Sequence, residues 1–324
     1  MHGKKIAIEE HYVLPTMKDL MPTTPFWHDD YSREVRERMA DTGDMRLRAM
    51  DEAGIKRMVL SLGGTGVQDE LDVTRAVQRA RAANDALAAI VASRPDRYSA
   101  FATLPMQDPE AAASELERTV REQGFKGALV NGYTSIGNLD TPAYYDEPQF
   151  LPFWQRLAAL GVPFYLHPRN PLPNQQRIYE GRRELIGAAW SFAVDTGTHA
   201  LRLITSGLFD RCPGVTVVIG HMGELVPFAI SRLESRISHA KAVKLQKPAS
   251  EYLRTNFYAT TSGNFHTPSL IATIQQMGAD RVMFAVDYPF EKLESGSAWL
   301  DGAAISDADR LKISRSNAER LLRL

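Results

Sequence analysis

The chain has 324 residues, with 38 Lys and Arg against 39 Asp and Glu, a formal net charge of −1. Hydrophobic residues make up 44% and charged residues 24%, the balance of a globular chain, which excludes intrinsic disorder. The near-zero charge excludes an extended nucleic-acid footprint, and no apolar run approaches the roughly 18 residues that span a bilayer. The start, MHGKKIAIEEHY, reaches two glutamates before the apolar region of a secretory signal could form. Cys212 is the single cysteine and has no intramolecular disulfide partner. Both features point to a cytoplasmic protein.

Short β-branched or aromatic runs alternate with stretches of helical period. Strands are expected at Lys5–Glu9, Arg57–Leu62, Tyr98–Thr103, Gly127–Asn131, Pro163–His167, Thr216–Gly220, Phe257–Thr261 and Arg281–Val286. Helices are expected between them at Met45–Ala53, Val73–Ser93, Pro109–Glu122, Gln149–Ala159, Leu185–Leu208, Glu224–Ala240 and Pro268–Gln276, and Ser306–Leu322 closes the chain. Gly124 and Gly161 stand just past helix ends, where a left-handed cap residue is wanted. Asp72 is a plausible N-cap, and Asp108-Pro109 and Thr267-Pro268 set a capping side chain before a first-turn proline.

Eight strand–helix units favour a closed (β/α)8 TIM barrel over an open doubly wound sheet. No Gly/Ser/Pro-rich linker divides the chain, so residues 1–324 read as one domain. A typical barrel needs roughly 250 residues, leaving about 74. These fall mostly at Tyr12–Asp44, Gly132–Pro148, Pro168–Glu184 and His239–Glu251. The first three are long loops on the face where the strands end. They read as pocket lid and subunit interface.

That face carries active sites in such barrels. Here the strands end in IAIEEH, FYLHPRNP, VVIGHMGE and MFAVDYPFE. Glu9 and His11 are two apart on a strand, so both enter the barrel mouth, whereas Glu10 points away and serves structure. A solvated strand end would explain Glu9 and His11 equally well, and a buried, hydrogen-bonded histidine would explain His167. Asp287 follows an apolar run, where a carboxylate needs a cation or a strong partner. Together Glu9, His11, His167 and Asp287 supply mixed nitrogen and oxygen ligands for one divalent ion such as Zn²⁺ or Mn²⁺.

His221 lies between Gly220 and Gly223, with Glu224 three residues on. A carboxylate there can orient the imidazole and raise its basicity, or simply cap a helix. The Gly63-Gly64-Thr65-Gly66 loop does not open directly into a helix and is no nucleotide fingerprint; it suits a close approach beneath a flat substrate. His199 sits in an apolar helical stretch and reads as a core histidine. The basic stretch Arg232 to Lys247 reads as a solvated helix face or as an arginine offered at a subunit boundary.

The phrases KIAIEEH, FKGALVNG, VPFYLHPRNPLP, GLFDRCPGVTVVIGHMGE, TTSGNF and GADRVMFAVDYPFE resemble the amidohydrolase superfamily. Within it they are similar to the amidohydrolase-related decarboxylases of aromatic acids, the γ-resorcylate and 2,3-dihydroxybenzoate group. The likeness runs the length of the chain. Most superfamily hydrolases carry His-x-His on the first strand. Glu9-Glu10-His11 departs from that, and Asn131 ends the fourth strand where a binuclear site would want a carbamylated lysine.

The resemblance implies one metal ion (Zn²⁺ or Mn²⁺, with Mg²⁺ possible) bound by Glu9, His11, His167 and Asp287, and no organic cofactor. It implies a catalytic role for Asp287, His221 and Glu224, and substrate contacts from Phe192 and Phe290, which Phe26 or Trp27 is expected to complete, with Arg232 reaching a neighbouring subunit's site in a homotetramer. The activity implied is non-oxidative decarboxylation of an ortho-hydroxybenzoate to the phenol and CO₂, reversible at high bicarbonate. The expected partner is thus a small aromatic hydroxy acid, with no nucleic acid and no membrane. A mononuclear metal-dependent hydrolase of a lactone or amide is the alternative, and a non-catalytic binding protein a third reading. The loop containing PTTPFWHDD is less similar to known members and bears on ring-substituent specificity.

Overall fold

The computed structural model describes residues 4–21 and 27–324. Its frame is eight parallel strands: β1 (Lys5–Tyr12), β2 (Ile55–Leu62), β3 (Tyr98–Ala100), β4 (Ala128–Asn131), β5 (Phe164–His167), β6 (Val217–Ile219), β7 (Phe257–Thr260) and β8 (Val282–Met283). Ladders join β1 to β2 to β3, and β4 to β5 to β6 to β7 to β8. Single parallel bridges, Ala102 with Ala128 and Glu10 with Tyr288, link the two sheets at both seams. The strands thus form a (β/α)8 barrel.

Nearly every strand residue is buried, as parallel strands covered on both faces require. Ile6, Ile8, Val59, Phe101, Leu129, Tyr165, Val218, Tyr258 and Met283 fill the barrel interior, and Ala318 and Leu322 plug its lower end. A second, larger core lies between strands and helices. Gly124 and Gly161 cap their helices in left-handed conformation, and Asp108 and Asp72 accept hydrogen bonds from first-turn amides. No helix among the described residues is long and apolar enough to cross a membrane.

Several elements depart from expectation for identifiable reasons. The Tyr12–Asp44 insertion contains a helix, Asp29–Ala40, in which Val35 and Met39 are the buried residues, too thin a stripe to read by period. Leu293–Gly302 is a further helix, with Leu293, Gly296, Ser297 and Leu300 buried at helical spacing but two of the four too small to look apolar. Residues 249–256 are helical as well. The helix expected from Leu185 starts at Ser191, and the one expected from Glu224 starts at Val226. Thr267 begins its helix rather than capping it, and its hydroxyl lies 3.2 Å from Trp299 Nε1, the donor. The eighth ladder stops at Met283, because the next amides bond to side chains and to other segments.

Candidate metal centre

The upper end of the barrel gathers Glu9 and His11 from β1, His167 from the end of β5 and Asp287 beyond β8. One ligand-type atom from each lies within 4.8 Å of the other three. Donors about 2.1 Å from one ion lie at most about 4.2 Å apart, so the cluster matches one ion with slight contraction. His11 Nε2 is 3.2 Å from Asp287 Oδ1, and His167 Nε2 is 3.4 Å from Glu9 Oε1. Yet Glu9 Oε1, His11 Nε2 and Asp287 Oδ1 are buried without a hydrogen-bond partner among the described residues. Orphaned polar atoms aimed at one point are costly unless something joins them.

The far side of each ligand is occupied. His167 Nδ1 donates to the Pro168 carbonyl at 2.9 Å, which leaves Nε2 with its lone pair free. His11 Nδ1 pairs with Ser61 Oγ at 3.1 Å. Glu9 Oε2 accepts from Tyr165 and, at 3.1 Å, from Thr260, so only Oε1 is left to face the cluster. Partners of this kind fix ligand orientation.

His221 stands beside the ligands, with Nε2 3.5 Å from Asp287 Oδ2 and 3.9 Å from Glu9 Oε1. Its Nδ1 bonds Glu224 Oε1 at 2.7 Å. The turn that makes this pair is left-handed, not the start of a helix: His221, Met222, Gly223, Glu224 and Leu225 all have positive φ. Gly220 lets the acids close in, since a Cβ there would sit 3.1 Å from Glu9 Oε2 and 3.3 Å from Glu224 Oε1.

The electrostatics follow from burial and crowding. Burial and the neighbouring His11 push His167 well below the ordinary histidine range, which favours the neutral ligand form. Burial raises the Glu9 carboxyl. For Asp287, burial acts upward but the adjacent His11 and His221 imidazoles overcome it, and its carboxyl is held below the usual range. For His221, burial acts downward, and the Glu224 and Glu9 charges override it and raise the imidazole well above its ordinary value.

The other expected site residues are placed as follows. The Phe290 ring is 5.9 Å from the His11 ring, and Trp27 packs edge-on against Phe290 at 5.9 Å. Tyr31 donates to the Phe290 carbonyl at 2.8 Å. Phe192 is half-buried beside Gly187 in the segment after β5. Arg232 is exposed and makes no ion pair among the described residues. Phe26 lies outside the described residues. Asn131 is buried next to His167 in the ladder, with its Oδ1 unpartnered. Gly64 packs against the Leu20 carbonyl, so that loop lies against the segment after β1. His199 is a core residue that accepts from the Tyr145 amide at 3.0 Å. Sequence reasoning missed Tyr165, Ser61, Thr260 and Ser262, the last accepting from the His221 amide at 3.1 Å. Tyr165 had a signal, because it sits two residues before His167 and so faces the same side.

Fold and centre define a (β/α)8 barrel protein with a Glu/His/His/Asp site suited to one metal ion. Residues 11–324 match the family described as Amidohydrolase. The chain belongs to the amidohydrolase family. Over its full length it is 48% identical to a gamma-resorcylate decarboxylase of Rhizobium sp., 99% of which is covered. It superposes with a TM-score of 0.95 on a 2,6-dihydroxybenzoate decarboxylase complexed with 2,6-dihydroxybenzoate, at 47% identity over 99% of this chain and all of the other. A dihydroxybenzoic acid decarboxylase of Polaromonas sp., holding manganese and the inhibitor 2-nitroresorcinol, superposes equally well at 47% identity, covering 99% of this chain and 97% of its own.

Proposed function

We propose that this chain is a metal-dependent carboxy-lyase that converts a dihydroxybenzoate with an ortho hydroxyl, 2,6-dihydroxybenzoate first, to the phenol and CO₂. The carrying observation is the cluster of Glu9, His11, His167 and Asp287 with inward-facing orphaned atoms, in a chain half identical to enzymes so named. Manganese in the Polaromonas relative supports Mn²⁺ as the ion. When bound, such an ion supplies a Lewis acid for the adjacent carboxylate and phenolic oxygens of the substrate.

Loss of CO₂ from the neutral-ring substrate would leave an aryl carbanion. Protonating the ring carbon that bears the carboxylate avoids it. Asp287 delivers that proton; the carbon–carboxylate electron pair then returns to the ring as CO₂ leaves. His221 Nε2, 3.5 Å from Asp287 Oδ2, reloads the carboxyl and handles the phenolic proton. Glu224 holds the imidazole in orientation through Nδ1. Phe290 and Phe192 wall the ring, and Trp27 backs Phe290. The same steps run backward at high bicarbonate.

The active species is a homotetramer in which Arg232 serves a neighbouring site. Its exposure without a partner among the described residues supports this, as do the exposed Phe228, four residues before it on the same helix, and the exposed Leu225 just ahead of that helix. The single barrel carries the whole activity. The lone Cys212 suits a reducing cytoplasm.

The test is a panel of salicylate and the dihydroxybenzoate isomers on Mn²⁺-loaded protein, following CO₂ and phenol. Turnover with an ortho-hydroxybenzoate is expected, and Asp287→Asn should retain metal without turnover. Stoichiometric metal with no CO₂ from any isomer, but hydrolysis of lactones or amides, would replace this reading with a hydrolase.

A further inference from the structure

We propose that Glu10 is a positioning residue that sets the geometry of Asp287. This rests on the reading of Asp287 as ligand and proton donor. Glu10 is fully buried and faces away from Glu9 and His11, so it is not part of the cluster. Its two oxygens reach across the barrel seam to the segment after β8. Oε1 accepts from the Val286 amide at 2.9 Å, and Oε2 from the Tyr288 amide at 3.0 Å. These are the two peptide N–H groups that flank Asp287. The Asp287 amide itself bonds the Glu9 carbonyl at 3.0 Å.

Three consecutive amides are therefore held by β1, two of them by one carboxylate. Here the eighth ladder has already ended, so the Glu10 side chain takes the place of a neighbouring strand. The grip matters because Asp287 has φ of 76°, a backbone that an L-residue adopts only when its surroundings impose it. Arg46 completes the brace. Its guanidinium is fully buried, donates to the His11 carbonyl at 2.7 Å and lies 4.8 Å over the Tyr288 ring. Every residue of Glu9-Glu10-His11 thus acts on the centre, the middle one through its neighbour's backbone.

A four-form cycle tests this: wild type, Glu10→Gln, Asp287→Asn and the double variant, each titrated with Mn²⁺ against a chromophoric chelator. Glutamine keeps the shape but turns one acceptor into a donor facing an amide N–H. Glu10→Gln is expected to weaken Mn²⁺ binding about 10- to 100-fold, as loss of an outer partner does. It should also lower kcat more than it changes KM. In the Asp287→Asn background the same change should cost less than about threefold, because coupled residues do not act additively. An equal cost in both backgrounds, or no cost in wild type, overturns the proposal. Wild-type metal affinity and turnover in Asp287→Asn would instead overturn the assignment of Asp287. If Glu10→Gln does not fold, the cycle is run with Glu10→Asp, which keeps both acceptors and withdraws them by one methylene.

Discussion

His221 Nδ1 and Glu224 Oε1 lie 2.7 Å apart because five consecutive residues, 221 to 225, turn with positive φ. A left-handed turn brings positions three apart onto one face, as a right-handed one does, but it costs about 1–2 kcal/mol for each L-residue. Only Gly223 escapes that cost. The turn is held from outside: the Met222 amide bonds the Thr260 carbonyl, and Thr273 donates to the Met222 carbonyl. Strain of this kind persists where the surroundings over-determine it, and it concentrates at functional sites.

Gly197 is one of those surroundings. It lies in the helix Ser191–Thr205, and a Cβ there would sit 2.5 Å from the Glu224 carbonyl oxygen. Gly197→Ala must displace the turn. We expect a loss of about 1–3 kcal/mol in stability, the usual cost of overpacking, and a fall of at least about tenfold in kcat. Thermal unfolding and steady-state kinetics on the same preparation check both. Wild-type kcat in a destabilised Gly197→Ala protein would show that the turn's position does not matter to the reaction.

His221→Ala removes the proton-handling group while leaving all four candidate ligands in place. The expected loss is about 10²- to 10⁴-fold in kcat, the range for general acid–base groups, with one Mn²⁺ still bound per chain. A change confined to KM would assign His221 to binding instead.

Much of this centre was legible because strand residues alternate. Period two pairs Glu9 with His11 and separates Glu10, although only a register shift between Ala7 and Glu10 brings that pair to the side that Ile6 and Ile8 line. The apolar runs before His167 and Asp287 mark the first as ending a strand and the second as following one. The frame was legible for the same reason, since buried parallel strands leave continuous apolar runs. What acts through tertiary contact was not. Thr260, on a strand more than 90 residues beyond Tyr165, and Ser262, two residues past that strand's end, reach the centre, and no local pattern announces that meeting. The left-handed turn was invisible because the same three-residue spacing of His221 and Glu224 also suits a helix start. The charged helix Asp29–Ala40 hid because the barrel asks so little apolar surface of it.

Tyr165 tests how far the outer partners control the metal. It is fully buried in the barrel, donates to Glu9 Oε2 and lies 2.8 Å from Thr260 Oγ1. Tyr165→Phe keeps the ring and removes the donor that occupies one oxygen of Glu9. Mn²⁺ affinity should fall about 10- to 100-fold, with the ion restored at high concentration and activity returning in step. Unchanged affinity by chelator competition would mean that Thr260 alone suffices to orient Glu9.

His199 governs acid sensitivity rather than chemistry. Burial, with the Arg202 charge adding to it, depresses its imidazole from an ordinary 6.5 to about 3. Above pH 6.5 the residue is neutral in folded and unfolded chains alike, and it contributes no pH dependence. Below pH 6.5 the unfolded chain takes up a proton that the folded chain refuses, so stability falls as pH falls, until the folded value near 3 is passed. Between pH 7 and pH 5 this amounts to about 2 kcal/mol. His199→Gln retains an acceptor for the Tyr145 amide but does not titrate. Urea unfolding at both pH values should show a drop smaller by about 2 kcal/mol in the variant than in wild type. Equal drops in the two proteins would mean that His199 is protonated in the folded chain as readily as in the unfolded one.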